Sequence, residues 1–129
     1  MNCKLHRSAL EAVRRHAERA SPGECCGVLV GRDDEILQAI EARNLATDPN
    51  RYLLDPADHI AIRRTARASG LAVVGFYHSH PHSAARPSAT DQAEANYPDH
   101  LYLIVGSDDL RLFRLTAGNF VEAPFVTVT

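Results

Sequence analysis

Two histidines, His78 and His80, stand two residues apart just after the apolar run Leu71 to Phe76, and Asp91 follows eleven residues beyond the second. On a β-strand, residues i and i+2 project to one face, about 6–7 Å apart along the chain. Imidazoles so placed can converge on one small cation while Ser79 turns the other way. Pro81 has no N–H for a sheet ladder, so the strand is expected to end just past His80. Asp91 returns a carboxylate as a third donor. Catalytic zinc takes three protein ligands and keeps one position for water, a count that these residues meet. The same donors suit a non-haem iron facial triad, so ligand type alone leaves the metal open. A bare His-x-His also describes two solvated histidines at a strand end.

The elements that must position these residues follow from pattern. Ser8 to Glu11 reads as a capping box opening a helix, with Leu10, Val13, Ala17 and Ala20 at helical spacing, closed by Pro22 and Gly23. Cys25 to Gly31 is a compact apolar run fit for a buried strand, and Glu35 to Ala42 alternates as its hairpin partner. After the polar loop 43–50, Arg51 to Leu54 reads as a short strand near a sheet edge. Asp55 before Pro56 starts a second helix, carried by Ile60, Arg64 and Ala68 and stopped by Gly70. Leu71 to Phe76 is the central strand, covered on both faces, with the histidines at its downstream end. A short helix begins at Ser88 and runs toward Asn96. Strands at 100–105 and 110–115 and a final segment from Phe120 to Val128 complete the chain. The fold class is α/β: a mixed β-sheet flanked by helices, in one domain over residues 1–129.

Composition narrows the partners. Of 129 residues, 45% are hydrophobic and 23% charged, the balance of an ordinary globular chain. A net charge of -2 gives no electrostatic reason to expect nucleic acid or an anionic membrane. No stretch approaches the ~20 apolar residues of a membrane span. The first sixteen residues carry no apolar signal core, so a cytoplasmic location is expected. Three cysteines, two of them adjacent, make no disulfide framework. Cys25 and Cys26 read as small core residues rather than nucleophiles. Neither an HExxH helix nor a PCxxC pair is present, which excludes the zincin and zinc-deaminase ligand sets.

His78-Ser79-His80-Pro81 followed by Ser88 and Asp91 resembles the signature of the JAMM (JAB1/MPN/Mov34) metallopeptidases. The run from Pro22 to Gly31 is similar to that family's upstream segment, in which a glutamate precedes a glycine-containing strand. The resemblance covers roughly residues 8–117. It implies a JAB/MPN domain, a sandwich of cytidine-deaminase-like type, most similar to the compact bacterial branch that processes ubiquitin-like sulfur-carrier proteins. One departure is His82, directly after the motif, which reads as a solvated loop histidine.

On that resemblance, His78, His80 and Asp91 hold one zinc ion per chain, and Glu24 is the general base toward the zinc-bound water. Ser88 donates to the oxyanion of the tetrahedral intermediate. Alone, Glu24 is an exposed charge after a Pro-Gly turn, and Ser88 with Asp91 is a capping pattern that needs no metal. The implied reaction is hydrolysis of the amide after the C-terminal Gly-Gly of a ubiquitin-like or sulfur-carrier protein. Oligomeric state is left open. Two other classes remain: a non-catalytic scaffold of the same fold, and a metal enzyme of different chemistry, such as the iron facial triad. The edge strand at 51–54 would let an extended tail join the sheet.

Overall fold

Residue alternation in one strand sets the layers. In the computed structural model, which describes residues 2–129, this strand is β4 (Ala72–Ser79), the central strand of an eight-stranded sheet. It pairs antiparallel with β2 (Cys26–Arg32) and parallel with β5 (Leu101–Val105). Beyond β2 lie β3 (Glu35–Ala42), β1 (Cys3–His6) and β8 (Phe125–Val128); beyond β5 lie β6 (Leu110–Thr116) and β7 (Asn119–Glu122). Parallel and antiparallel pairs coexist, and helices flank the sheet, as the sequence pattern predicts.

Each face closes on its own helix. Tyr77, Leu29, Leu103 and Leu112 pack with Leu5, Ala9 and Val13, the last two from α1 (Arg7–Ala20). Phe76, Val28, Val30 and Tyr102 pack with Ala66 of α2 (Pro56–Ala68) on the other side. Burying each large side chain contributes about 1.5–3 kcal/mol. A third, short helix, α3 (Ala89–Glu94), follows β4 and brings Asp91 back to the strand.

Strands β7 and β8 are consecutive in the chain yet occupy opposite ends of the strand order, joined only by Ala123 and Pro124. Seven gaps of about 4.8 Å separate the end strands of a flat eight-stranded sheet, far more than two residues can span. The sheet therefore curls until its ends approach. Ala123 N–H bonds Leu112 O at 2.8 Å, while Pro124 O accepts from Cys3 N–H at 3.0 Å, one residue serving each end.

Several local expectations change. Residues 3–6 form a strand, β1, which runs directly into α1 with no intervening turn. The N-cap is accordingly His6, with no side-chain cap bond, and Ser8 lies exposed within the first turn. Residues 51–54 are not a strand; Leu54 makes only an isolated bridge to Asn44. Their backbone is already engaged, since Leu53 N–H donates to Asn44 Oδ1 at 2.9 Å and Leu53 O accepts from Leu45 N–H at 2.8 Å. The side of the segment that faces Asn44 and Leu45 is thus taken. Helix α2 starts where expected, with Asp55 accepting from Ala57 N–H, but it buries His59 and Ala66 and leaves Ile60 exposed. The last segment divides at Ala123-Pro124 into β7 and β8.

Gly75 sits directly opposite Leu101 in the β4–β5 pair, where a Cβ would stand 2.1 Å from Leu101 O. The obstacle is backbone and cannot swing away. Gly75→Ala is expected to lower stability by about 1–3 kcal/mol, toward the upper figure. Urea unfolding curves check this; a variant within 0.5 kcal/mol or so of wild type would show that β4 and β5 are less tightly paired than described.

Candidate metal centre

The pairing of β4 with β5 continues one residue past the strand's end, because His80 N–H donates to Val105 O at 2.7 Å. His78 and His80 therefore keep the pleat and point to one face. Ser79 points to the other, where its Oγ accepts from Cys25 N–H at 2.9 Å. Asp91 arrives through the capping box of α3: Ser88 Oγ accepts from Asp91 N–H, and Asp91 Oδ2 accepts from Ser88 N–H, both at 2.9 Å. The capping reading and the ligand reading of Ser88-x-x-Asp91 thus coexist in one side chain.

Three atoms meet. His78 Nε2 lies 3.1 Å from His80 Nε2, and Asp91 Oδ2 lies 3.2 Å and 3.1 Å from the two nitrogens. All three residues are buried, and together they form a group able to hold a metal ion. His80 Nδ1 donates to Ala84 O at 3.3 Å, since a carbonyl only accepts, which leaves Nε2 facing the group. Donors about 2.1 Å from a tetrahedral zinc stand ~3.4 Å apart, a little wider than the 3.1–3.2 Å triangle observed. Two imidazole nitrogens and a carboxylate oxygen this close can share a cation or a proton, and as a donor set they fit zinc.

Burial holds His78 below the ordinary imidazole value, against the pull of Asp91. Burial acts the same way on His80, but Asp91, Ala84 O and Glu24 together outweigh it and leave His80 raised. Burial would raise Asp91 too, yet bonds from His78 and His80 drive it well below the carboxylate range.

A cavity of about 280 Å³ opens beside the trio, lined by His80 and Asp91 together with Glu24, Arg51, Tyr52, His82 and Ser88, while His78 lies behind them. Burial pushes the Glu24 carboxyl up to about 7; His80 opposes this, and Asp91 and Asp48 add to it. Its backbone is held on both sides, with Glu24 N–H to Pro49 O at 3.1 Å and Glu24 O accepting from Asn44 Nδ2 at 3.1 Å. Ser88 is exposed at the rim, its hydroxyl already an acceptor and its proton free to donate. His82 is exposed and stands outside the trio. Arg51, Tyr52 and Glu94 are shared with a larger cleft of about 790 Å³ that continues past Leu53, His59, Phe76 and Tyr97. All three cysteines are buried and free, and burial pushes the Cys26 thiol up to about 12, against any nucleophilic role. No described helix is long and apolar enough to cross a membrane.

Two residues that sequence reading passed over shape the centre. Tyr52 stacks on His78, ring centroids 4.4 Å apart and 21° between planes. Asn44 ties the 43–55 loop together, meeting Ala46, Arg51 and Leu53 as well as Glu24. Nothing in the spacing around either residue announces these long-range contacts.

The metal-free chain gives a direct check on Glu24. With its folded pKa raised from 4.5 to about 7, the folded state holds the proton more tightly. The resulting stabilisation is complete below pH 4.5 or so and is lost as pH rises through about 7. Glu24→Gln removes the penalty of ionising this half-buried group. The metal-stripped variant is expected to exceed wild type in stability at pH 8 by roughly 1 kcal/mol, after discounting for solvent screening. Urea curves at pH 4.5 and pH 8 test it; an equal difference at both would mean that Glu24 is not desolvated.

Known proteins resemble this chain in sequence and fold. Residues 6–116 match the family described as prokaryotic homologs of the JAB domain. The desampylase of Haloferax volcanii is 40% identical over 121 residues, covering 92% of this chain and 84% of its own. The CysO-cysteine peptidase of Mycobacterium tuberculosis is 34% identical over 122 residues, covering 89% and 84%. A JAB1/MPN domain protein from Archaeoglobus fulgidus superimposes with a TM-score of 0.63 at 22% identity, covering 97% of both chains, which speaks to fold. With the family match spanning both flanking helices and every strand that supports the trio, this chain belongs to the prokaryotic JAB family.

Proposed function

We propose that this chain is a zinc-dependent peptidase or isopeptidase, one domain over residues 1–129. It hydrolyses the amide after the C-terminal Gly-Gly of a ubiquitin-like or sulfur-carrier protein. One observation carries the reading: His78 Nε2, His80 Nε2 and Asp91 Oδ2 converge beside a cavity that His80, Asp91 and Glu24 line. Similarity to a CysO-cysteine peptidase and to a desampylase supports the substrate class.

His78, His80 and Asp91 hold the ion. Zinc supplies Lewis acidity there and brings the pKa of water toward ~7. Glu24 takes the proton of the attacking water and returns it to the leaving amine. Burial raises its carboxyl toward neutrality in the metal-free chain, and beside the ion an ordinary carboxylate suffices as base for water so acidified. Ser88 keeps Asp91 N–H with its lone pair and turns its hydroxyl proton to the developing oxyanion. The cleft that continues from the cavity past Tyr52 and Leu53 accommodates an extended tail, and the Gly-Gly end has no side chains to obstruct its approach.

Purified protein is expected to carry about one zinc per chain by mass spectrometry, and to lose and regain turnover of a Gly-Gly-tailed carrier conjugate as zinc is chelated and restored. Glu24→Gln retains the zinc and loses most turnover, whereas His80→Ala loses both. Iron with oxygen-dependent turnover would assign the centre to other chemistry, and a metal-free chain would make it a scaffold. Ser88→Ala should lower kcat about 100-fold with zinc still bound, and stability by about 1 kcal/mol through the lost cap. Unchanged kcat in intact-mass assays would leave Ser88 as a cap alone.

A further inference from the structure

The loop between β4 and α3 extends the His80–Ala84 bond into a relay. His80 Nδ1–H donates to Ala84 O at 3.3 Å, and the N–H of the same peptide group, that of Ala85, donates to Asp109 Oδ1 at 2.9 Å. A peptide group is planar, so fixing its N–H fixes the direction of its carbonyl. Ala84 O uses its second lone pair on Arg86 N–H at 2.8 Å, which pins the plane further. The other oxygen of Asp109, Oδ2, lies 3.4 Å from Arg111 Nε, holding the carboxylate in place from β6.

We propose that Asp109 is a positioning residue for His80: it grips the Ala84–Ala85 peptide so that the carbonyl holds the imidazole with Nε2 aimed at the metal. This rests on the reading of His80 as a ligand. Metal-ligating histidines commonly donate their second N–H to a carboxylate or carbonyl, which sets tautomer and ring orientation. Here the two acceptors act in series, and a carboxylate on the N–H enriches the carbonyl oxygen that faces the ring.

Gly106 marks the same junction independently. A Cβ there would stand 2.4 Å from Ala85 N, 2.8 Å from Ala84 C and 2.5 Å from Asp109 Oδ1, so a side chain would strike every member of the relay except the histidine. Further bonds brace the loop against the β5–β6 turn, Ser107 N–H to Ser83 O and Gly106 N–H to Asp109 O, both at 2.8 Å. Asp109 is thus placed by a turn that is far in sequence from the histidine it orients.

The test uses the full chain, with zinc affinity measured by competition against a chelator. Asp109→Ala is expected to bind zinc 10- to 100-fold more weakly, with the His80 Nδ1–H proton resonance of the zinc-loaded protein shifted or lost. Asp109→Asn keeps an acceptor for Ala85 N–H and is expected to lie between that variant and wild type in both readouts. A residue serving stability alone would lower Tm and move neither. The relay is overturned if folded Asp109→Ala binds zinc within twofold of wild type with the His80 resonance unchanged. If Asp109→Ala does not fold, an Asp109→Asn protein identical to wild type in both readouts overturns it equally. A wild-type chain that binds no zinc overturns the ligand reading and the relay together, whereas wild-type binding matched by the variant overturns the relay alone.

Discussion

The pleat of β4 is the constraint on which the molecule turns. Because alternate side chains leave a strand on opposite faces, His78 and His80 reach the cavity side only if Tyr77 and Ser79 enter the α1 side. That side is built to take them. Tyr77 is almost fully buried and its hydroxyl meets His16 Nδ1 at 2.7 Å, while Ser79 satisfies Cys25 N–H. A slip of one residue would exchange the faces, placing an aromatic ring among the ligands and two imidazoles in an apolar core. The register is also held sterically, since Gly27 lies opposite Tyr77 and a Cβ there would stand 2.2 Å from the ring.

The curl of the sheet extends this control to both ends of the chain. Strand β1 lies between β3 and β8 and is parallel to both, so the first and last strands share one ladder. Arg114 of β6 reaches across to Asp34 in the β2–β3 turn at 2.7 Å and to Asp99 O at 2.8 Å. These contacts join strands that lie far apart in the linear strand order. The centre sits at the end of the most central strand, surrounded by the part of the sheet least able to fray.

Legibility in the sequence followed the range of the interactions. The i, i+2 histidines, the Asp55-Pro56 helix start and the Ser88-x-x-Asp91 cap are local patterns, and each lies where its pattern says. Strand β1 escaped because four residues carry little periodicity and their partners come from residues 35–36 and 125–128. The cap assigned to Ser8 failed for the same reason, as the strand before it leaves no turn for Ser8 to close. Tyr52, Leu53 and Leu54 look like strand residues, yet the side chain of Asn44 satisfies the backbone there in place of a neighbouring strand. Asp109 was invisible because its partner is a backbone N–H, and Ala85 has no chemistry of its own to signal it.

The capping box has a consequence for how the protein would be loaded. Asp91 Oδ2 is anchored by Ser88 N–H, and the two imidazoles are held by sheet and loop. Small zinc-folded modules gather their ligands only as the metal binds, so for them metal scarcity means an unfolded chain open to degradation. Here, on the proposed function, each ligand is also held by protein contacts of its own. A chain so braced would need the ion for chemistry more than for folding, so zinc scarcity would idle it before it unfolded it.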